Sequence, residues 1–180
     1  MRKLKVTEMN RLSVDDFKSS DKVPLTVILD NVRSMYNVGS IFRTCDAFRI
    51  EAIWLCGITG RPPHPEIHKT ALGAEDSVGW QYFDKTEDAV KVARERKYRI
   101  FAVEQCEGST PLDKFVCSDN GIAVIFGNEV KGVQQTIVDM CDGCIEIPQF
   151  GTKHSLNVAS AAAIVIYSLS APLCQRSVQA

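Results

Sequence analysis

The chain has 180 residues, 45% of them hydrophobic and 24% charged, with a formal net charge of −1. That is enough for one domain with its own core and too little for a second large one, since domains commonly run to about 100–200 residues. The near-neutral balance lacks the overall basic excess that marks many nucleic-acid binders, so any such surface has to be local. No apolar run approaches the roughly 20 residues of a bilayer span, and no apolar stretch follows Met1, so a soluble cytoplasmic chain is expected.

Residues 1–24 read as a basic, helical N-terminal extension carrying Arg2, Lys3, Lys5 and Arg11, and residues 25–180 as the single main domain. Runs rich in β-branched residues recur at Leu25–Leu29, Ala52–Leu55, Ile100–Val103, Ile122–Phe126 and Cys144–Ile147. Segments of helical period lie between them, so the expected class is α/β with a mostly parallel sheet and helices on both faces. The first helix places Val38, Ile41, Phe42, Cys45 and Phe48 on one stripe. Gly57–Gly79, broken by Pro62, Pro63 and Pro65, reads as a substrate-side loop with one helical turn near Ile67–Leu72. Thr86–Lys97 forms a helix with Ala89, Val90 and Ala93 inward, and Val133–Met140 a third. An Ala-rich last helix runs from about Ser155, placed as its cap, to Leu169.

Further basic groups occur at Arg33/Arg43/Arg49 and at Lys91/Arg94/Arg96/Lys97/Arg99, each of which also fits a solvated helix face. Seven cysteines (Cys45, Cys56, Cys106, Cys117, Cys141, Cys144 and Cys174) are odd in number and scattered, as reduced thiols are. Cys141-x-x-Cys144 lacks a second ligand pair at zinc spacing, and Pro65 spoils the loose metalloprotease pattern of His64, Glu66 and His68, so no metal is expected. No G-x-G-x-x-G follows the first strand, and Gly127–Gly132 has no Lys-Ser/Thr of a phosphate loop.

Three polar segments sit where strands end, the position at which open α/β sheets gather ligands. They are Asn37–Arg43, within Leu29-Asp30-Asn31-Val32-Arg33-Ser34-Met35-Tyr36-Asn37-Val38-Gly39-Ser40-Ile41-Phe42-Arg43; Gly127-Asn128-Glu129-Val130-Lys131-Gly132; and Gln149–Asn157, leading into Val158. Each alone has a plain structural explanation: Asn37 and Ser155 as caps, Gly39 and Gly127 as packing glycines, Glu129 as a first-turn carboxylate. Gly39, one turn before Arg43, is expected to clear space beneath the guanidinium.

Together, in this order and spacing, the three segments resemble the motifs of the SpoU family of tRNA/rRNA ribose methyltransferases in the SPOUT superfamily, over roughly Leu25 to Tyr167. The resemblance implies a C-terminal trefoil knot, outside ordinary topology rules, that binds S-adenosylmethionine, and a homodimer that completes the active site. It implies catalytic roles for Asn37, Arg43, Glu129, Ser155 and Asn157, and cofactor contacts from Gly127, Ile147 and Leu156, with Glu104 a further cofactor-side candidate. Ala159-Ser160 departs from the family pattern, in which a small hydroxyl residue often comes first, a change that bears on helix packing.

The implied reaction moves a methyl group to a ribose 2′-hydroxyl of RNA by in-line attack, without a metal. The family assigns hydroxyl activation to the arginine, yet a guanidinium with a pKa of roughly 12 or more is a poor base. Arg43 better suits bidentate binding of the adjacent phosphate, leaving phosphate or water to take the proton. The alternatives are an inactive RNA-binding or assembly protein of the same fold, and a base-nitrogen methyltransferase, which would carry another first motif. The opening Arg2-Lys3-Leu4-Lys5 and Asn10-Arg11-Leu12 resembles tRNA-directed members of the family, which favours tRNA over rRNA.

Overall fold

The computed structural model describes residues 1–116 and 121–177, with side chains up to 171; Cys117 and the side chain of Cys174 lie outside the described residues. Seven strands, β1 (Val23–Asp30), β2 (Ile50–Cys56), β3 (Trp80–Phe83), β4 (Arg99–Val103), β5 (Thr110–Pro111), β6 (Ile122–Phe126) and β7 (Gly143–Glu146), form one sheet ordered β3-β2-β1-β6-β4-β7-β5. Every pairing is parallel. The helices are α1 (Val14–Ser19), α2 (Met35–Ala47), α3 (Pro65–Ala71), α4 (Ala74–Ser77), α5 (Thr86–Glu95), α6 (Gln135–Val138) and α7 (Val158–Ser177).

The central strand β1 is apolar on both faces because helices cover both. Leu25, Val27 and Leu29 face Ile41, Phe42, Ile67 and Val165 of α2, α3 and α7. Ile28 faces the other way, into a second cluster with Trp54, Ala89, Ala93 and Ile137, under α5 and α6. Two late strands enter between earlier ones: β6 lies between β1 and β4, and β7 between β4 and β5. Parallel pairing then brings the carboxyl ends of β1, β4, β6 and β7 to one end of the sheet, so the loops that leave them are neighbours.

Several elements differ from the sequence expectation. Trp80–Phe83 pairs with β2 as an edge strand although Trp80 and Gln81 are exposed, leaving it without an apolar alternation. Helix α6 covers only Gln135–Val138, because the preceding turn holds Gly132 at φ 67° and keeps Val133 out of the helix. The Pro-broken stretch contains two helices. His64 caps α3, its Nδ1 accepting the Glu66 N–H at 3.2 Å, and Pro65 occupies the first turn, where its missing N–H costs nothing. His68 instead pairs with Glu75 at 2.6 Å, so the two histidines have separate structural partners.

Helix α7 starts at Val158, and Ser155 is not its cap. Asn157 takes that role: its Oδ1 accepts the N–H groups of Ala159 (2.9 Å) and Ser160 (3.3 Å). Gly39 does not clear space for Arg43. A Cβ there would lie 2.2 Å from Thr70 Oγ1 and 2.3 Å from the Ile67 carbonyl, so the glycine lets α3 lie against α2. In the N-terminal segment, α1 is tied down by the buried ring of Phe17, over which Lys22 sits at 4.7 Å.

Candidate active site

The site is built around the entrance to α2. Ser34 caps that helix, its hydroxyl accepting the Asn37 N–H at 3.3 Å, which leaves the N–H groups of Arg33 and Ser34 without partners in their own segment. Glu129 supplies them from the loop after β6. Its Oε2 accepts from Arg33 N–H (3.0 Å), and its Oε1 accepts from Ser34 N–H (2.9 Å) and Asn37 Nδ2 (3.1 Å). Partial burial pushes the Glu129 carboxyl up, but the hydrogen bonds from Arg33, Ser34 and Asn37 outweigh it and hold the carboxyl below its ordinary value.

The loop that carries Glu129 is closed on itself. Asn128 and Gly132 exchange backbone hydrogen bonds of 3.1 and 2.8 Å, and Asn128 Oδ1 accepts the N–H groups of Val130 and Lys131. A Cβ at Gly127 would stand 2.0 Å from the Gly132 carbonyl carbon, so only glycine lets the loop fold back this far. Asn128 Nδ2 donates to the Asn31 carbonyl at 2.9 Å, stitching the loop to the end of β1. Glu104, just past β4, accepts the Val133 N–H at 2.8 Å.

The third segment joins through Asn157, whose Nδ2 donates to Asn37 Oδ1 at 3.2 Å. Glu129, Asn37 and Asn157 therefore form one hydrogen-bonded chain that joins the start of α2 to two segments 92 and 120 positions further along the sequence. Gln105 tethers the same segment farther back, its Nε2 donating to the His154 carbonyl at 2.7 Å.

Between these loops lies a cavity of about 640 Å³. Glu104, Gly127, Glu129, Ile147, Ser155, Leu156 and Asn157 line it, with Val103, Phe126, Val158 and Ala161 adding apolar wall. Asn37 braces the lining from behind through Glu129 and Asn157. Arg43 stands farther along α2, exposed and outside the lining, and among the described residues neither its guanidinium nor the Ser155 hydroxyl has a hydrogen-bond partner. Both are free to take one.

Sequence reasoning missed Asp30. It is fully buried and accepts from the Thr86 hydroxyl (2.6 Å), Asn31 Nδ2 (2.8 Å), and the N–H and Nε2 of Gln134 (3.1 Å each). It thus fixes the end of β1, the start of α5 and the exit of the Glu129 loop. An aspartate closing a strand that is otherwise apolar except for Thr26 was the available signal.

The basic groups sort by partner. Arg94 bonds Asp142 and the Met140 carbonyl, Lys91 pairs with Asp88, and Arg96 and Arg99 lie over the rings of Trp54 and Phe101, so these four are structural, while Lys97 carries no ion pair among the described residues. Arg33, Arg43 and Arg49 carry no ion pair among the described residues, but they are strung along α2 from one end of the sheet toward the other. Cys141 does not face Cys144 as a ligand pair: its Sγ donates to the Ile137 carbonyl, while Cys144 Sγ lies 2.9 Å from Cys106 Sγ. Among the described residues no group of three or more His, Cys, Asp or Glu is placed to hold a metal, and no helix is long and apolar enough to cross a membrane.

The profile of the SpoU rRNA Methylase family matches residues 24–167. Over 161 residues the chain is 30% identical to a tRNA (guanosine(18)-2′-O)-methyltransferase of Thermus thermophilus, covering 89% of this chain and 81% of that one. It is 28% identical over 159 residues to a 23S rRNA (guanosine-2′-O-)-methyltransferase of Neisseria meningitidis, covering 87% of this chain and 62% of that one. Among solved structures, the A. aeolicus TrmH/SpoU tRNA modifying enzyme superposes with a TM-score of 0.79 at 25% identity, over 89% of this chain and 80% of that one. An AdoMet-bound rRNA methyltransferase from Sinorhizobium meliloti gives 0.79 at 27% identity, over 91% and 62%.

Proposed function

The chain belongs to the SpoU rRNA Methylase family, and from that premise we propose that it transfers a methyl group from S-adenosylmethionine to a ribose 2′-hydroxyl of RNA. The observation that carries this reading is the Glu129–Asn37–Asn157 chain, which holds three polar loops around a single cavity at the carboxyl end of the sheet.

The cavity suits the cofactor in size and in the character of its walls, since small-molecule sites run to about 300–1,000 Å³ and combine apolar walls with a few polar groups. Val103, Ile147 and Leu156 offer flat apolar contact for an adenine, the backbone around Gly127 comes close without a side chain, and Glu104 stands ready for ribose hydroxyls. When bound, S-adenosylmethionine supplies a methyl group on a positively charged sulfur. Transfer of that methyl group to a ribose oxygen would release a neutral thioether, and the hydroxyl proton would pass to a phosphate or to water.

Arg43 binds the neighbouring phosphate through two N–H donors and sets the direction of the hydroxyl. Ser155, with its hydroxyl unengaged in the cavity wall, hydrogen-bonds the substrate. Glu129 and Asn37 act as positioning residues, because their polar atoms are already committed to Arg33, Ser34 and Asn157.

We read the entry of β7 between β4 and β5, followed by the return of α7 over α2 and β1, as the threading of a trefoil knot. A homodimer is supported by Ile164 and Tyr167, two large apolar side chains left exposed on α7. We place the enzyme in the cytoplasm, with residues 1–24 as an extension to the catalytic domain of 25–180. For substrate we favour tRNA, on the basic residues Lys3, Lys5 and Arg11, with Arg2 paired to Glu8 beside them, and on the match to a tRNA enzyme over 89% of this chain. Incubating the protein with labelled S-adenosylmethionine and either total tRNA or rRNA tests this choice. Label in tRNA alone supports it, and label in rRNA alone overturns it.

A further inference from the structure

Phe150 is the most exposed large apolar side chain of the described residues after the terminal Met1, at 97%. Among those residues its ring meets no other aromatic ring. Folding gives no reason for an aromatic ring to be presented this way, in the loop that joins β7 to α7. The segment is fixed on its C-terminal side by Gln105 at the His154 carbonyl and by Asn157 at Asn37. The neighbouring Gln149 and His154 line the cavity.

Two lysines belong to the same pair of loops. Lys153 lies three residues on in the same segment, and Lys131 lines the cavity from the facing Gly127–Gly132 loop; neither has an ion pair among the described residues. An exposed aromatic face accompanied by unpaired cations is what single-stranded nucleic acid binds: bases stack on the ring and phosphates meet the ammonium groups. We infer that Phe150 is a stacking platform for a nucleobase of the RNA segment that presents the target ribose, with Lys131 and Lys153 holding its backbone. This rests on the RNA-methylating reading of the site and names a specificity contact that reading does not contain.

Equilibrium binding of total tRNA and, in a second arm, of fragmented rRNA tests it with wild type and Phe150→Ala, Phe150→Leu and Phe150→Trp. Base–aromatic stacking predicts that Ala and Leu weaken binding to at least one RNA by about five- to 150-fold, while Trp stays close to wild type. Affinity for S-adenosylmethionine, measured by calorimetry, stays unchanged in all of them. RNA binding by Phe150→Ala equal to wild type overturns the inference. So does Leu substituting fully for Phe, an equal loss of cofactor affinity, or a loss of RNA binding that follows dissociation of a dimer in sedimentation. Wild type that binds neither RNA overturns this inference and the proposed function together. Wild type that binds RNA through the ring but transfers no methyl group overturns the proposed function alone.

Discussion

Glu129→Ala removes the acceptor for three donors at once: the N–H groups of Arg33 and Ser34 and the amide of Asn37. Loss of a helix-entry acceptor costs about 0.5–2 kcal/mol. Arg33 is exposed and water replaces part of what is lost, so the charge adds little beyond that range. A destabilisation of about 1–2 kcal/mol lowers the Tm of a domain this size by roughly 2–8 °C. Glu129→Gln keeps one acceptor oxygen and loses about half as much. The effect on catalysis exceeds the effect on folding, since Asn37 and through it Asn157 lose their orientation, and a small misplacement costs large factors in rate. Initial rates of methyl transfer fall at least tenfold for Ala, mainly in kcat. In a double-mutant cycle with Asn37→Ala, the two changes couple by about 1 kcal/mol in stability. Thermal unfolding and rates measured on the same preparations decide the matter. Ala and Gln variants that both match wild type in Tm and in rate would refute the bracing role.

Gly39→Ala places a methyl group against Thr70 Oγ1 and the Ile67 carbonyl. It is destabilising by about 1–3 kcal/mol despite the better helix propensity of alanine, measured as a lower urea midpoint at unchanged slope. Thr26 has a buried hydroxyl with no partner among the described residues, so Thr26→Val raises stability by up to about 1 kcal/mol in the same assay. Burial pushes the carboxyls of Glu129 and Asp142 up. Hydrogen bonds outweigh it, from Arg33 and Ser34 N–H to Glu129 and from Arg94 and Ile100 N–H to Asp142, and both end below their ordinary values. The folded state then binds fewer protons than the unfolded one, so their contribution is complete above the ordinary carboxylate range and is lost as pH falls through and below it. Glu129→Gln with Asp142→Asn flattens the acid limb of a stability–pH curve. A limb of unchanged slope would contradict the assignment.

What was legible in the sequence was what periodicity writes. The buried strands β1, β2, β4, β6 and β7 show as apolar runs because both of their faces are covered, whereas the edge strand β3, with Trp80 and Gln81 exposed, has no such pattern. The residues around the cavity were legible by resemblance, but their division of labour was not. Glu129, Asn37 and Asn157 are joined by contacts that span up to 120 positions, and no local pattern encodes them. Asn157 displaced Ser155 as the cap because the backbone turns helical only at Val158, a choice made by the tethers at Gln105 and Asn37. Asp30 went unnoticed because a lone acidic residue after an apolar strand reads as the strand's solvated end. Here it is the fully buried acceptor that collects Thr86, Asn31 and Gln134.

Ribose methylation directed by Arg43 leaves a chemical signature in the product RNA. RNA treated with the protein and labelled S-adenosylmethionine, digested to nucleosides and resolved by mass spectrometry, tests it most directly, with Arg43→Ala and Arg43→Lys run alongside. The expected result is a 2′-O-methylated nucleoside that vanishes with Ala, while Lys retains RNA binding and loses most of the rate. A methyl group found on a base, or full activity in Arg43→Ala, would contradict it.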